Sequence, residues 1–155
     1  MSKILISNRG FFDFILDVEV LRALRYSYLL TLMTVTHDPV ASELQSELLH
    51  KLGELLLREV RSTDFVAQGE GGVFYVILPF AGLAEAKKAV ERLLVRAREH
   101  AFIVKDTRVQ TTLSVGCARF PTDASDSREL LQKSEEMLEK ARREGGNRVS
   151  LPETG

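Results

Sequence analysis

Two β-forming runs, residues 65–68 and 73–78, are separated by Gly69-Glu70-Gly71-Gly72, and this punctuation constrains the chain more than any other stretch. Glycine adopts positive φ without a steric penalty, so a four-residue linker holding three of them predicts a tight β-hairpin. A hairpin needs a sheet to join. The run Tyr28-Leu-Leu-Thr-Leu-Met-Thr-Val35 is apolar on both faces, as expected of a central strand covered on both sides.

Helical periodicity supplies the covering layers. Phe11, Phe14, Ile15, Val18, Leu21 and Leu24 predict an amphipathic helix over residues 11–25. Asp38-Pro39 opens a second helix over 40–60, with Leu44, Leu48, Leu52, Leu55 and Leu56 inward. Leu83, Ala86, Val90, Leu93 and Ala97 mark a third, after Pro79 ends the hairpin. A minor strand is expected over 102–105, then a strand over 109–117 that alternates apolar and polar residues. Asp126 or Ser127 caps a last helix with the stripe Leu130, Leu131, Ser134, Met137, Leu138 and Ala141; Gly145-Gly146 stops it, and residues 148–151 close the sheet. The order α-β-α-β-β-α-β-α-β implies an α/β (α+β) domain, a mixed central β-sheet flanked by helices.

At 155 residues and 45% apolar content, the chain is sized for one domain with its own core. Its 21 basic and 22 acidic residues leave a net charge of -1, which offers no general attraction for nucleic acid or anionic membrane. Any anion site must be local. The single cysteine and the lack of a leader pattern before Arg9 fit a reducing cytoplasm, and no apolar run reaches the roughly 18–20 residues that span a bilayer. The terminal Leu151-Pro-Glu-Thr-Gly155 matches a sortase pentapeptide and is given no weight.

Several short motifs, in order and at matching spacing, resemble the GGDEF domain of diguanylate cyclases. They are Asn8-Arg9-Gly10-Phe11-Phe12, Arg61-Ser-Thr-Asp64, Thr112-Leu-Ser-Val-Gly116 and Ala141-Arg-Arg-Glu-Gly-Gly-Asn-Arg-Val149, which together cover about residues 8–150. The resemblance implies an adenylyl-cyclase-like fold and descent from enzymes that condense two GTP molecules into cyclic di-GMP. That chemistry needs two magnesium ions and oxygen ligands to hold them.

Aligned on Phe74, the signature turn becomes Glu70-Gly71-Gly72-Val73-Phe74, so Gly72 and Val73 stand where the family carries its carboxylates. Met33 and Val35 align with the metal-binding Asp-x-Asp of the first strand. His37 and Asp38 replace apolar and basic types, and Gly146 stands where an arginine is usual, although Arg142 keeps a positive charge. The resemblance therefore implies a domain without catalytic residues, metal or cofactor.

Arg61 and Asp64 match the family's inhibitory site for cyclic di-GMP. A guanidinium can fork onto phosphate and guanine, and a carboxylate can accept from the guanine N–H pair. The same pair can equally be structural, with Asp64 shaping a helix-to-strand turn and Arg61 bonded to it. The glycine turn can admit a phosphate to bare amides, or can simply be a turn. His37, His50 and His100 lack metal-site spacing and read as surface or loop residues, and Cys117 reads as core. Leu55-Leu56-Leu57 and Phe11, Phe12 and Phe14 exceed what one helix face needs, so part is expected at an interface with a protein partner or a second copy. Three functions stay open: a cyclic di-GMP receptor, a nucleotide-independent interaction module, and a residual cyclase.

Overall fold

The computed structural model describes residues 4–100 and 102–153. Its centre is a six-stranded mixed sheet, in the order β1 (Leu5–Ile6), β3 (Phe65–Gln68), β4 (Val73–Pro79), β2 (Leu30–His37), β7 (Leu113–Phe120) and β8 (Arg148–Ser150). The outer pairs β1–β3 and β7–β8 are parallel, and the inner ladders are antiparallel. All eight residues of β2 are buried, which its two-faced apolar run requires.

Side chains alternate across the sheet and define two cores. Helices α2 (Ser42–Glu59) and α3 (Leu83–Glu99) cover the face that carries Met33, Val35, Phe74 and Val76. Helices α1 (Arg9–Tyr26) and α4 (Ser127–Arg143) cover the face that carries Leu32, Tyr75, Ile77 and Ala118. Beside the sheet, β5 (Phe102–Val104) and β6 (Thr107–Val109) form a separate hairpin tied to α2, where Lys105 donates its backbone N–H to Glu47 at 2.8 Å.

The expected elements are all present, but several details are corrected. Strand β1 is two residues long, too short for periodicity to register. Pro79 ends β4 as expected, as its last residue. The expected strand over 109–117 splits, since β6 ends at Val109 and β7 begins at Leu113. Strand β7 is then buried on both faces instead of alternating. The largest correction concerns α1. Its inward residues are Phe12, Leu16, Val20 and Ala23, whereas Phe11, Phe14, Leu21 and Leu24 of the expected inner stripe are 51–65% exposed. This helix has two apolar stripes, so periodicity alone had no means of choosing between them. Leu55 and Leu56 are buried, leaving no excess apolar surface at those two residues of α2. Of the terminal pentapeptide, residues 154 and 155 lie outside the described residues.

Helix α4 lies unusually close to β7. A Cβ placed on Gly116 would sit 2.2 Å from the Leu138 backbone nitrogen and 2.3 Å from the Ser134 carbonyl oxygen. Ser134 uses this proximity, with its hydroxyl 2.6 Å from Thr34 Oγ1 and 3.2 Å from the Leu32 and Gly116 carbonyls. Gly116→Ala should therefore push the helix off the sheet and destabilise the fold by about 2–4 kcal/mol, read as a lower urea midpoint at unchanged slope.

Candidate functional site

The hairpin turn is fixed from both sides. Gly69 donates its backbone N–H to the Val73 carbonyl at 2.7 Å, and Gly71 and Gly72 take φ of 72° and 80°, which favours glycine at both. From β2, Thr36 donates its hydroxyl to the Gly72 carbonyl at 2.8 Å. Glu70 and Gly71 are exposed, while Phe74 is fully buried. The register adds a detail that the sequence did not supply. Met33 lies opposite Val76, Val35 opposite Phe74 and Thr36 opposite Val73, so the odd-numbered β2 positions nearest the turn are Val35 and His37. Among the described residues no group of three His, Cys, Asp or Glu side chains is arranged to hold a metal ion.

Just past β2, Asp38 is consumed by the fold. Its carboxylate accepts from the Thr112 hydroxyl, from the Ser114 hydroxyl at 2.6 Å and from the Asn147 backbone N–H at 3.0 Å. Gly146 (φ 72°) packs against it so tightly that a Cβ there would lie 2.6 Å from Asp38 Oδ1. No arginine fits at position 146 while Asp38 holds this place. His37 is not a surface residue as expected. It is 8% exposed, with Nδ1 2.8 Å from the Asp38 carbonyl oxygen. His50 is exposed beside Glu54, and His100 is exposed and stands edge-on to Phe102. Cys117 is fully buried, and burial pushes its thiol up to about 12, so it stays protonated.

At the other end of the sheet, Arg61 and Asp64 meet at the turn between α2 and β3. Asp64 accepts the Arg61 backbone N–H at 2.8 Å and holds the guanidinium through Nη2 at 3.2 Å and Nε at 3.4 Å. Arg61 Nη2 also donates to the Pro79 carbonyl at 2.9 Å. The carboxylate side chain is 2% exposed and the guanidinium side chain 52%, so the arginine forms a lid over the acid. Both line a cavity of about 200 Å³ floored by Met33, Leu56, Leu78, Ala81 and Leu93. Glu59, Glu85, Lys88 and Arg92 complete its rim, with Arg92 donating to the Glu59 carbonyl at 3.0 Å and Glu85 accepting from the Gly82 N–H at 3.1 Å. Sequence reasoning missed Lys88 and Arg92. Their spacing of four residues puts them on one face of α3, but only the tertiary packing turns that face toward Arg61.

Sequence and fold comparisons agree. A profile described as "Diguanylate cyclase, GGDEF domain" matches residues 43–148. Diguanylate cyclase DosC of Escherichia coli is 28% identical over 159 residues, covering 97% of this chain and 34% of DosC. The chain spans about a third of the length of the curated relatives it matches. Among solved structures, the GGDEF domain of YfiN (TpbB) from Pseudomonas aeruginosa superposes with a TM-score of 0.89 at 21% identity, covering 99% of both chains. The GGDEF domain of DgcB from Caulobacter crescentus, solved in complex with c-di-GMP, gives 0.85 at 18% identity and covers 97% of this chain and 90% of its own. Among the described residues no helix is long and apolar enough to cross a membrane.

The Asp38 node predicts its own test. Asp38→Ala strands two hydroxyls and one amide in a partly buried site, and should lower stability by about 2–3 kcal/mol in urea unfolding.

Proposed function

The chain belongs to the GGDEF family, and from that premise we propose that it is a non-catalytic signalling domain that receives cyclic di-GMP at Arg61 and Asp64. The observation that carries this reading is the convergence of Arg61, Lys88 and Arg92 with Asp64 on one cavity. Three cations there face three carboxylates, Glu59, Asp64 and Glu85. The site is balanced when empty, and an arriving phosphate replaces a carboxylate as the partner of a guanidinium. Arg61 is the natural exchanger because its side chain is half exposed and its contacts with Asp64 are the longer ones. As it turns outward to a phosphate, Asp64 is freed to accept from a guanine edge. The cavity is smaller than the roughly 300–1,000 Å³ of a complete small-molecule site, so it suits one base, with the rest of the ligand lying across the rim.

The other end of the sheet supports the absence of GTP condensation. Magnesium takes oxygen ligands, and the residues level with the turn are Val35, Thr36, His37, Gly72 and Val73, among which the one side-chain hydroxyl, that of Thr36, is given to the Gly72 carbonyl. Asp38, the nearest carboxylate in sequence, already takes three hydrogen bonds from the fold. A second reading, a nucleotide-independent interaction module, is favoured by the exposed apolar stripe of α1.

Calorimetric titration with cyclic di-GMP should give saturable heat, and Arg61→Ala should weaken binding about tenfold or more, with a smaller loss in Arg92→Ala. No heat with the unsubstituted chain would leave the interaction module as the function. Incubation with GTP and Mg²⁺ or Mn²⁺ should yield no cyclic di-GMP by chromatography; accumulating product would restore the cyclase.

A further inference from the structure

Phe80 sits in a backbone conformation that does not suit its side chain. Its φ is 58°, in the left-handed region that bulky residues rarely adopt and that glycine holds without steric cost. Hydrogen bonds on both sides keep it there. Arg61 Nη2 donates to the Pro79 carbonyl at 2.9 Å, the Ala81 N–H donates to the Leu29 carbonyl at 3.0 Å, and Thr31 donates its hydroxyl to the Ala81 carbonyl at 2.9 Å. The ring gains little burial in return, since Phe80 is 64% exposed. It lies on Tyr28 with ring centroids 3.8 Å apart and planes 27° from parallel, so one face is backed and the other is left to solvent. A turn alone needs no aromatic side chain at this position. Backbone strain carried by an exposed ring implies a contact outside the chain.

We propose that the open face of Phe80 is a stacking surface for a purine, and that it takes the second guanine of cyclic di-GMP while the first occupies the cavity beside Arg61 and Asp64. The inference rests on the receptor reading and adds a residue to its site. Position supports it. Phe80 follows the carbonyl that anchors Arg61 and precedes Ala81, which lines the cavity and is about 3.8 Å away along the chain. The cavity of about 200 Å³ suits one base, and a cyclic dinucleotide carries two. A guanine presents a flat π-face, and a ring already backed by a second ring gives it a rigid partner with little side-chain freedom left to lose. Arg61, bonded to the carbonyl next to Phe80, brings the phosphate contact and the stacking contact to adjacent positions.

The chain contains no tryptophan, so Phe80→Trp places a single spectroscopic reporter at the surface. Its fluorescence should be quenched saturably by cyclic di-GMP, along the same curve as the calorimetric heat and with affinity retained. Phe80→Leu keeps apolar bulk and removes the π-face, and Phe80→Gly suits the left-handed backbone; each should weaken cyclic di-GMP binding about tenfold in calorimetry. Phe80→Gly should do so without lowering the thermal midpoint, whereas a loss of affinity that travels with a lower midpoint would assign the ring to the fold and overturn the proposal. Unchanged affinity in Phe80→Leu, or Phe80→Trp fluorescence indifferent to cyclic di-GMP, also overturns it; if Arg61→Ala still weakens binding in the same experiment, the receptor reading stands without the stacking surface. A chain that gives no heat with cyclic di-GMP overturns both.

Discussion

Everything in this domain is registered through β2. The strand is buried along its whole length and paired on both edges, which favours partners inside the protein for its side-chain hydroxyls, although His37 Nε2 at its end has none among the described residues. Its threonines find theirs by reaching to three different places. Thr31 bonds the Ala81 carbonyl beside the cavity, Thr34 bonds Ser134 of α4, and Thr36 bonds the carbonyl of Gly72 in the turn. A strand of valines at these positions would be as apolar and as β-prone, but it would lose all three anchors.

Local chemistry was legible in the sequence, and choices between equivalent surfaces were not. The hairpin was placed to within one residue because turn glycines and β-branched runs act over a few positions. The cap of α4 was readable for the same reason, and Asp126 accepts the Glu129 N–H at 2.8 Å. The inner face of α1 was misread because Phe11–Phe14–Leu21 and Phe12–Leu16–Val20 are equally good helical stripes, and only the sheet decides which one it needs. His37 looked like a loop residue beside Asp-Pro, yet β2 extends two residues past Val35 and carries it into the core. Lys88 and Arg92 were invisible as site residues because nothing local distinguishes them from other charges on the polar side of α3.

The sequence motif singled out Arg61 and Asp64 as candidates but carried none of their geometry. Arg61 and Asp64 stood out by motif, but their spacing of three said nothing of which would be buried. The fold puts the carboxylate inside and the guanidinium outside. That order has a physical cause: Asp64 accepts the Arg61 backbone N–H and so is fixed to the turn, whereas the arginine stem is long enough to fold back over it.

The two ends of the sheet carry carboxylates with opposite kinds of partner, and this sets what each end can do. Asp38 is bound by two hydroxyls on β7 and its approach and by a backbone amide, groups that cannot leave without moving a strand or the loop before β8. Asp64 is bound by one backbone amide and by a half-exposed guanidinium whose rotation would cost two long hydrogen bonds to Asp64 and one of 2.9 Å to the Pro79 carbonyl. A carboxylate partner that is a half-exposed side chain is therefore found at the Leu30–Pro79 end of the sheet and not around Asp38 at the end of the glycine turn, although the turn carries the more conspicuous motif. The outer stripe of α1 lies apart from both, on the helix side that the sheet leaves uncovered.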